Sequence, residues 1–184
     1  MNSLEQLSQT ARGLYETVAT EFASLDLGFL NFKPAPESWS ILECLEHLNR
    51  YSRYYNPAIA KAIAKNSDGK FVQSISHSWL GKKSLDMVRP DNLKKNKTVK
   101  HMNPNNSQLG RATVEEFLKH QQELLNLLQS AKGADLNKKA VPVEFFKLLK
   151  LRIGETLEFV VVHETRHVQQ ALRVKQQLEK RAAA

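Results

Sequence analysis

An all-α fold, a four-helix bundle with long crossover connections, is what the sequence predicts, and three observations predict it. Four segments carry apolar residues at helical spacings of three and four. Only seven Gly and six Pro occur in 184 residues, too few to punctuate many short strands. A long polar stretch, from about Asn66 to Arg111, separates the second periodic segment from the third, as a crossover does in bundles. Together these suit one domain spanning residues 1–184, a length that buries a substantial core.

The first helix carries Leu4, Leu7, Ala11, Leu14, Val18, Phe22 and Leu25 on one stripe. It ends at NFKPAPES, where two prolines forbid continuation. The second starts after Ser38 or Ser40, and Ser40 followed by Glu43 reads as a capping box. Ile41, Leu45, Leu48 and Tyr55 mark its buried side. Pro57 is expected to kink it, or to divide it into two pieces with Asn56 capping the second. Within the crossover, SWLGKKSLDMV reads as a short helix. The third long helix is expected to open at Thr113, with Glu116 completing a capping box, and to bury Phe117, Leu124 and Leu128. PVEFFKLLK, with Pro142 in its first turn, reads as a short helical turn, and no strand pattern is evident. The last helix runs from about Gly154 to Glu179.

Composition narrows the function classes. Hydrophobic content of 41% with 25% charged residues is that of a folded globular protein. The single cysteine, Cys44, excludes an intrachain disulfide framework. No apolar run reaches membrane-spanning length, and MNSLEQLSQTARGLYETVATEF lacks a signal-peptide core, so the expected location is the cytoplasm, with no membrane partner. The net charge of +8 is concentrated between Lys82 and Lys100, where seven Lys and Arg face Asp86 and Asp91. A solvated connecting loop explains that run; an anion-binding lip is the alternative. Nucleic-acid binding is disfavoured because aromatics for base stacking are missing from it.

The chemistry lies in VVVHETRHVQQALRVK. His163 and His167, four apart, are neighbours on one helical face and can reach one ion. On a helical wheel Glu158, Thr165, Arg166, Gln169, Arg173 and Gln176 form a polar arc. His163, Glu164 and His167 fall on the opposite side with Leu157, Val160, Val161, Val168 and Ala171. Imidazoles and a carboxylate do not enter a core without partners, since desolvation costs several kcal/mol per unpaired charge. A metal ion satisfies the imidazoles. A third ligand is then needed, and His47, at the edge of the apolar arc of the second helix, is the best remaining candidate. Cys44, one turn away, stays open as a thiolate ligand. His77, His101 and His120 sit in polar surroundings and read as surface histidines.

HETRH is also a literal H-E-x-x-H, the zinc-protease motif in which the glutamate activates water. The extended form of that motif fails here: Gln170 replaces its glycine and Arg173 its third histidine. Glu179, the later carboxylate, lies about 18 Å further along the same helix. The third ligand must come from upstream.

SWSILECLEHLNRY, followed about 115 residues later by HETRHVQQ, resembles the DinB-like (DinB/YfiT) superfamily, and the resemblance extends over essentially the whole chain. It implies a four-helix bundle with a His-only metal site, nickel or zinc, in proteins that are often dimers. Carried onto this chain, the implied ligands are His47, His163 and His167, all present. It further implies a metal-dependent hydrolase, or a transferase or isomerase using a low-molecular-weight thiol such as bacillithiol or mycothiol. The expected enzyme therefore activates water or a thiol at a three-His site, for a small-molecule substrate. Glu164 is its expected catalytic base or ligand-orienting partner. Gln170 is expected to orient substrate, and Tyr51 or Arg50 to border the cavity. The alternative is a non-catalytic metal-binding protein whose ion is structural or vestigial, with a fourth position closed by Glu164, Cys44 or Tyr51.

Overall fold

The computed structural model describes residues 3–67, 74–92, 94 and 98–183. It is helical apart from one hairpin: α1 (Leu4–Glu21), α2 (Leu27–Leu30), α3 (Ile41–Ala64), α4 (Trp79–Val88), α5 (Ala112–Ser130), β1 (Lys139–Val143), β2 (Phe146–Arg152) and α6 (Ile153–Ala182). α3 packs on α5 and α6, and α1 packs on the same two helices. Thus α1 faces α3, and α5 faces α6, across the axis of a four-helix bundle. None of the described helices is long and apolar enough to cross a membrane.

Local sequence explains most of the boundaries. Ser40 accepts from the Glu43 amide while the Glu43 carboxylate accepts from the Ser40 amide at 2.9 Å, so the expected capping box opens α3. Ser3 and Gln6 cap α1 the same way. The box expected at Thr113 is not formed: α5 begins one residue earlier, and Glu116 instead takes a two-pronged ion pair from Arg53 at 2.6 and 2.7 Å. Pro57 neither ends nor divides α3. Tyr55, Ile59, Ala62 and Ile63, all buried, hold the turns on both sides of it in register, and Asn56 is spent on α5, donating to the His120 carbonyl at 3.3 Å.

The expected helical turn at PVEFFKLLK is instead an antiparallel hairpin, β1 with β2. Pro142 sits in a strand of a two-stranded sheet, where its missing N–H is tolerated. Phe146 through Lys150 of β2 are all exposed and only Leu151 is buried, so the strand has no alternating burial for the sequence to show. The short helix expected in the crossover is present as α4.

The core divides into two apolar clusters. One contains Leu7, Ile59, Leu124, Leu128 and Leu157. The other contains Val18, Phe22, Leu45, Phe117 and Ala171. Between their levels every long helix except α1 contributes buried polar groups: His47, Asn49 and Ser52 from α3, Gln121 from α5, and His163, Glu164 and His167 from α6. The polar belt across the middle of the bundle is where the chemistry lies.

Candidate metal centre

His47, His163 and His167 are all buried, and each offers one ring nitrogen such that the three lie within 4.8 Å of one another. The i, i+4 spacing on α6 stacks His163 and His167 on adjacent turns with ring centroids 4.8 Å apart. The packing of α3 on α6 brings His47 between them, 5.0 Å from the His163 ring and 4.6 Å from that of His167.

Hydrogen bonds fix how His47 is presented. Its Nδ1–H donates to the main-chain carbonyl of Met102 at 2.8 Å. A carbonyl only accepts, so the proton of the neutral ring is on Nδ1, and Nε2 keeps its lone pair. That Nε2 lies 3.2 Å from Nε2 of His163. Two ring nitrogens so close share at most one proton. His167 is oriented through the Gln170 side chain, whose Oε1 accepts from its Nδ1 at 3.0 Å.

Burial also sets the charge of the cluster. Desolvation is the main force holding His47 down to about 4, with the Arg50 charge adding to it. Burial and the proximity of the other two rings hold His163 well below the ordinary histidine range. His167 is lowered by burial first, then by His47 and by the charges of Arg166 and Arg173. Three neutral imidazoles converging on one point form a donor set that suits a divalent transition ion. The residues present therefore fit a metal.

The cluster forms the floor of an open cleft of about 940 Å³, in the size range of small-molecule sites. Trp39 and Tyr51 flank the rings: Trp39 stands 4.9 Å from His47, and Tyr51 4.5 Å from His163. Burial pushes the Tyr51 hydroxyl up to about 12, so it stays protonated. Phe145, at the hairpin turn, reaches the same cleft, as do Arg166, Gln170 and Arg173 of α6.

Glu164, Cys44 and Arg50, also expected near the site, are placed away from the cleft. Glu164 is buried but does not line the cleft. It points into the bundle toward Gln121 of α5, and burial raises its carboxyl to about 8, with Gln121 opposing the rise. Cys44 is buried in apolar surroundings, outside the three-histidine group, and burial pushes its thiol far up. Arg50 does not border the cavity. It braces the crossover, donating to the carbonyls of His101 at 3.2 Å and Asn103 at 2.8 Å, on either side of Met102. Gln170 lines the cleft and also holds His167.

Of the histidines read as surface residues, His101 is exposed and bonds Glu144 at 2.7 Å. His120 is half-buried between Glu116 and Glu123. His77 pairs with Glu158 at 2.6 Å, which draws Glu158 out of the expected polar arc into a buried position. In the basic run, Lys83 lies over the Trp79 ring and Arg89 pairs with Asp86, whereas Lys95 and Lys97 fall outside the described residues. The Met102 carbonyl, a backbone group, carried no signal in the sequence. The carbonyls gathered by Arg166, those of Arg89 and Asn92 at 2.6 and 2.7 Å, carried none either.

Comparison with known proteins agrees with this architecture. A model of the DinB superfamily matches residues 9–171. The uncharacterized protein YuaE of Bacillus subtilis (strain 168) is 26% identical over 152 residues, covering 82% of this chain and 86% of that protein. No solved structure matches the chain.

Proposed function

The chain belongs to the DinB superfamily, and from that premise we propose that it is a divalent-metal-dependent enzyme, a hydrolase or a transferase using a low-molecular-weight thiol. His47, His163 and His167 are its metal ligands, with zinc or nickel as the ion. One observation carries this reading: three neutral ring nitrogens converge within 4.8 Å at the floor of a cleft that opens to solvent. When bound, a divalent ion supplies Lewis acidity and lowers the pKa of the water or thiol that reaches it.

The surrounding residues prepare that chemistry. Met102 and Gln170 hold two of the rings in the tautomer that leaves Nε2 free. Trp39, Tyr51 and Phe145 provide apolar walls that exclude water from the rings and seat the organic part of a substrate. Tyr51 lines the cleft and burial keeps its hydroxyl protonated, which supports a role as hydrogen-bond donor to a developing negative charge. Glu164 belongs to this proposal as a positioning residue next to His163, acting through α6 and not as a base in contact with substrate.

The structural-ion alternative needs a closed coordination sphere. Cys44 and Glu164, two of the three groups that would close it, lie outside the cleft. An accessible position favours catalysis. The exposed Trp79, Phe146, Leu148 and Leu149 support a homodimer as part of the same reading. Cytoplasmic placement belongs to it as well, supported by the single cysteine.

The test is elemental analysis of the purified protein, followed by cobalt substitution and titration with thiols. About one ion per chain, lost in both His47→Ala and His163→Ala, with a cobalt spectrum that shifts on adding a thiol, is the expected result. Full metal retention in both variants rejects the ligand set, and a spectrum indifferent to thiols removes the thiol-transferase branch.

A further inference from the structure

The cleft does not end at the histidines. It continues along α6 past Gln170 to Arg173 and Gln177, and from His167 to Gln177 the helix advances about 15 Å. Two arginines of α6 line this channel, and they are differently employed. The Arg166 guanidinium is engaged in the fold, fastening the carbonyls of Arg89 and Asn92. Arg173, two turns on, makes no hydrogen bond or ion pair among the described residues.

Glu37 is the one carboxylate among the described residues of the cleft, and no ion pair joins it to Arg173. Three neutral ligands leave the charge of a divalent ion uncompensated. The field is therefore positive at both ends of the channel, at the histidines and at Arg173, and it selects an anion. A guanidinium presents paired N–H donors in a planar fork that matches a carboxylate.

We propose that Arg173 is the specificity-determining anchor of the cleft, and that its ligand is a small carboxylate-bearing molecule. The reacting group of the ligand sits at the three histidines while its carboxylate is held by Arg173, about 9 Å further along the axis of α6. This rests on the metal-dependent reading above and narrows its substrate class. It also gives the unpartnered arginine a role distinct from that of Arg166, which anchors the crossover.

Zinc-loaded protein of measured metal content is titrated calorimetrically with four probes: 3-mercaptopropionate, 6-mercaptohexanoate, 2-mercaptoethanol and cysteamine. The two carboxylates are expected to bind about tenfold or more tightly than neutral 2-mercaptoethanol, and cationic cysteamine to bind worst. Arg173→Ala is expected to erase the preference, Arg173→Glu to reverse it toward cysteamine, and Arg173→Lys to keep only part of it, each with wild-type metal content. Arg173 is exposed, so these variants keep the fold, which circular dichroism checks. An unchanged carboxylate preference in Arg173→Ala overturns the assignment while leaving the ligand triad standing. Thiol binding blind to charge in the wild type does the same. Wild-type protein that takes up no metal is detected before any thiol is added, and it overturns the metal reading together with this one.

Discussion

His47 and Met102 are 55 positions apart, and the Nδ1–H of the histidine donates to the carbonyl of the methionine at 2.8 Å. Met102 lies in a short 3-10 turn of the crossover, Lys100–Met102, and Arg50 holds the carbonyls on both sides of it. One α3 side chain thus orients the loop that orients another, His47, one turn earlier on the same helix. Groups that fix a ligand ring commonly change metal affinity by 10–100-fold. Arg50→Ala is therefore expected to weaken metal binding about tenfold with all three histidines intact. Competition against a chromophoric chelator measures it, and unchanged affinity would show that the loop holds itself.

The buried histidines make the metal-free protein acid-sensitive. Folded His47 takes up a proton only near pH 4, and His163 and His167 are also held low, whereas the unfolded chain protonates its histidines near the ordinary value of 6.5. Where the unfolded state binds more protons, stability rises with pH. The contribution is fully present above pH 6.5 and is lost progressively as pH falls below it. Urea unfolding of metal-free protein between pH 7.5 and 5 is expected to show this slope, reduced in His163→Leu. A flat profile contradicts the neutral cluster.

Glu164 works in the opposite direction. Its folded carboxyl is raised to about 8 from the ordinary value of 4.5, because burial disfavours the charge. Between these values the unfolded state has released a proton that the folded state keeps, so stability is lost as pH rises from 4.5 to 8. Glu164→Gln keeps the shape and removes the cost. It is expected to be more stable than wild type by a few kcal/mol at pH 8, with no difference below pH 4.5 and with metal content unchanged. Loss of metal in this variant would give Glu164 a direct part in binding.

How much of this was legible in the sequence depends on which groups carried the information. Side-chain periodicity revealed the four long helices, because Leu7, Ala11, Leu45, Phe117, Leu124 and Val168 are buried through their own apolar surface. The His163–His167 pair was legible for the same reason: two imidazoles on the apolar face of α6 needed partners. The hairpin was not, since Phe146, Leu148 and Leu149 are exposed and their hydrophobicity misdescribes their position. Glu158 and His77 were each misplaced because the contact between them, at 2.6 Å, pairs two positions 81 residues apart. The orientation of His47 depends on a backbone carbonyl, and the choice between base and ligand-orienting partner for Glu164 stayed open because its face was known but not its direction. It points across the bundle axis to Gln121, while the histidines beside it turn toward α3.

Cys44 is expected to be chemically silent. It is fully buried, and burial raises its thiol far above physiological pH, so the nucleophilic thiolate is scarce. Ellman's reagent should react with less than about one tenth of the thiol in native protein over an hour, and with one thiol per chain in denaturant. Rapid native labelling would mean that the helix around Cys44 opens readily.

The two tryptophans allow the site to be watched directly. Trp39 stacks obliquely on His47 at 4.9 Å and on His167 at 5.6 Å, whereas Trp79 lies on the surface with Lys83 over its ring. A paramagnetic ion held by the histidines sits within about 10 Å of the Trp39 indole, given ligand bonds of about 2 Å. It therefore quenches that emission far more than that of exposed Trp79. Cobalt addition to metal-free protein is expected to remove roughly half of the total fluorescence, to saturate near one equivalent, and to leave Trp39→Phe almost unaffected. Because Trp39 supplies no ligand nitrogen, Trp39→Phe should still take up one cobalt per chain by elemental analysis. Quenching that survives in Trp39→Phe, or that is strongest in Trp79, would place the ion elsewhere than at His47, His163 and His167.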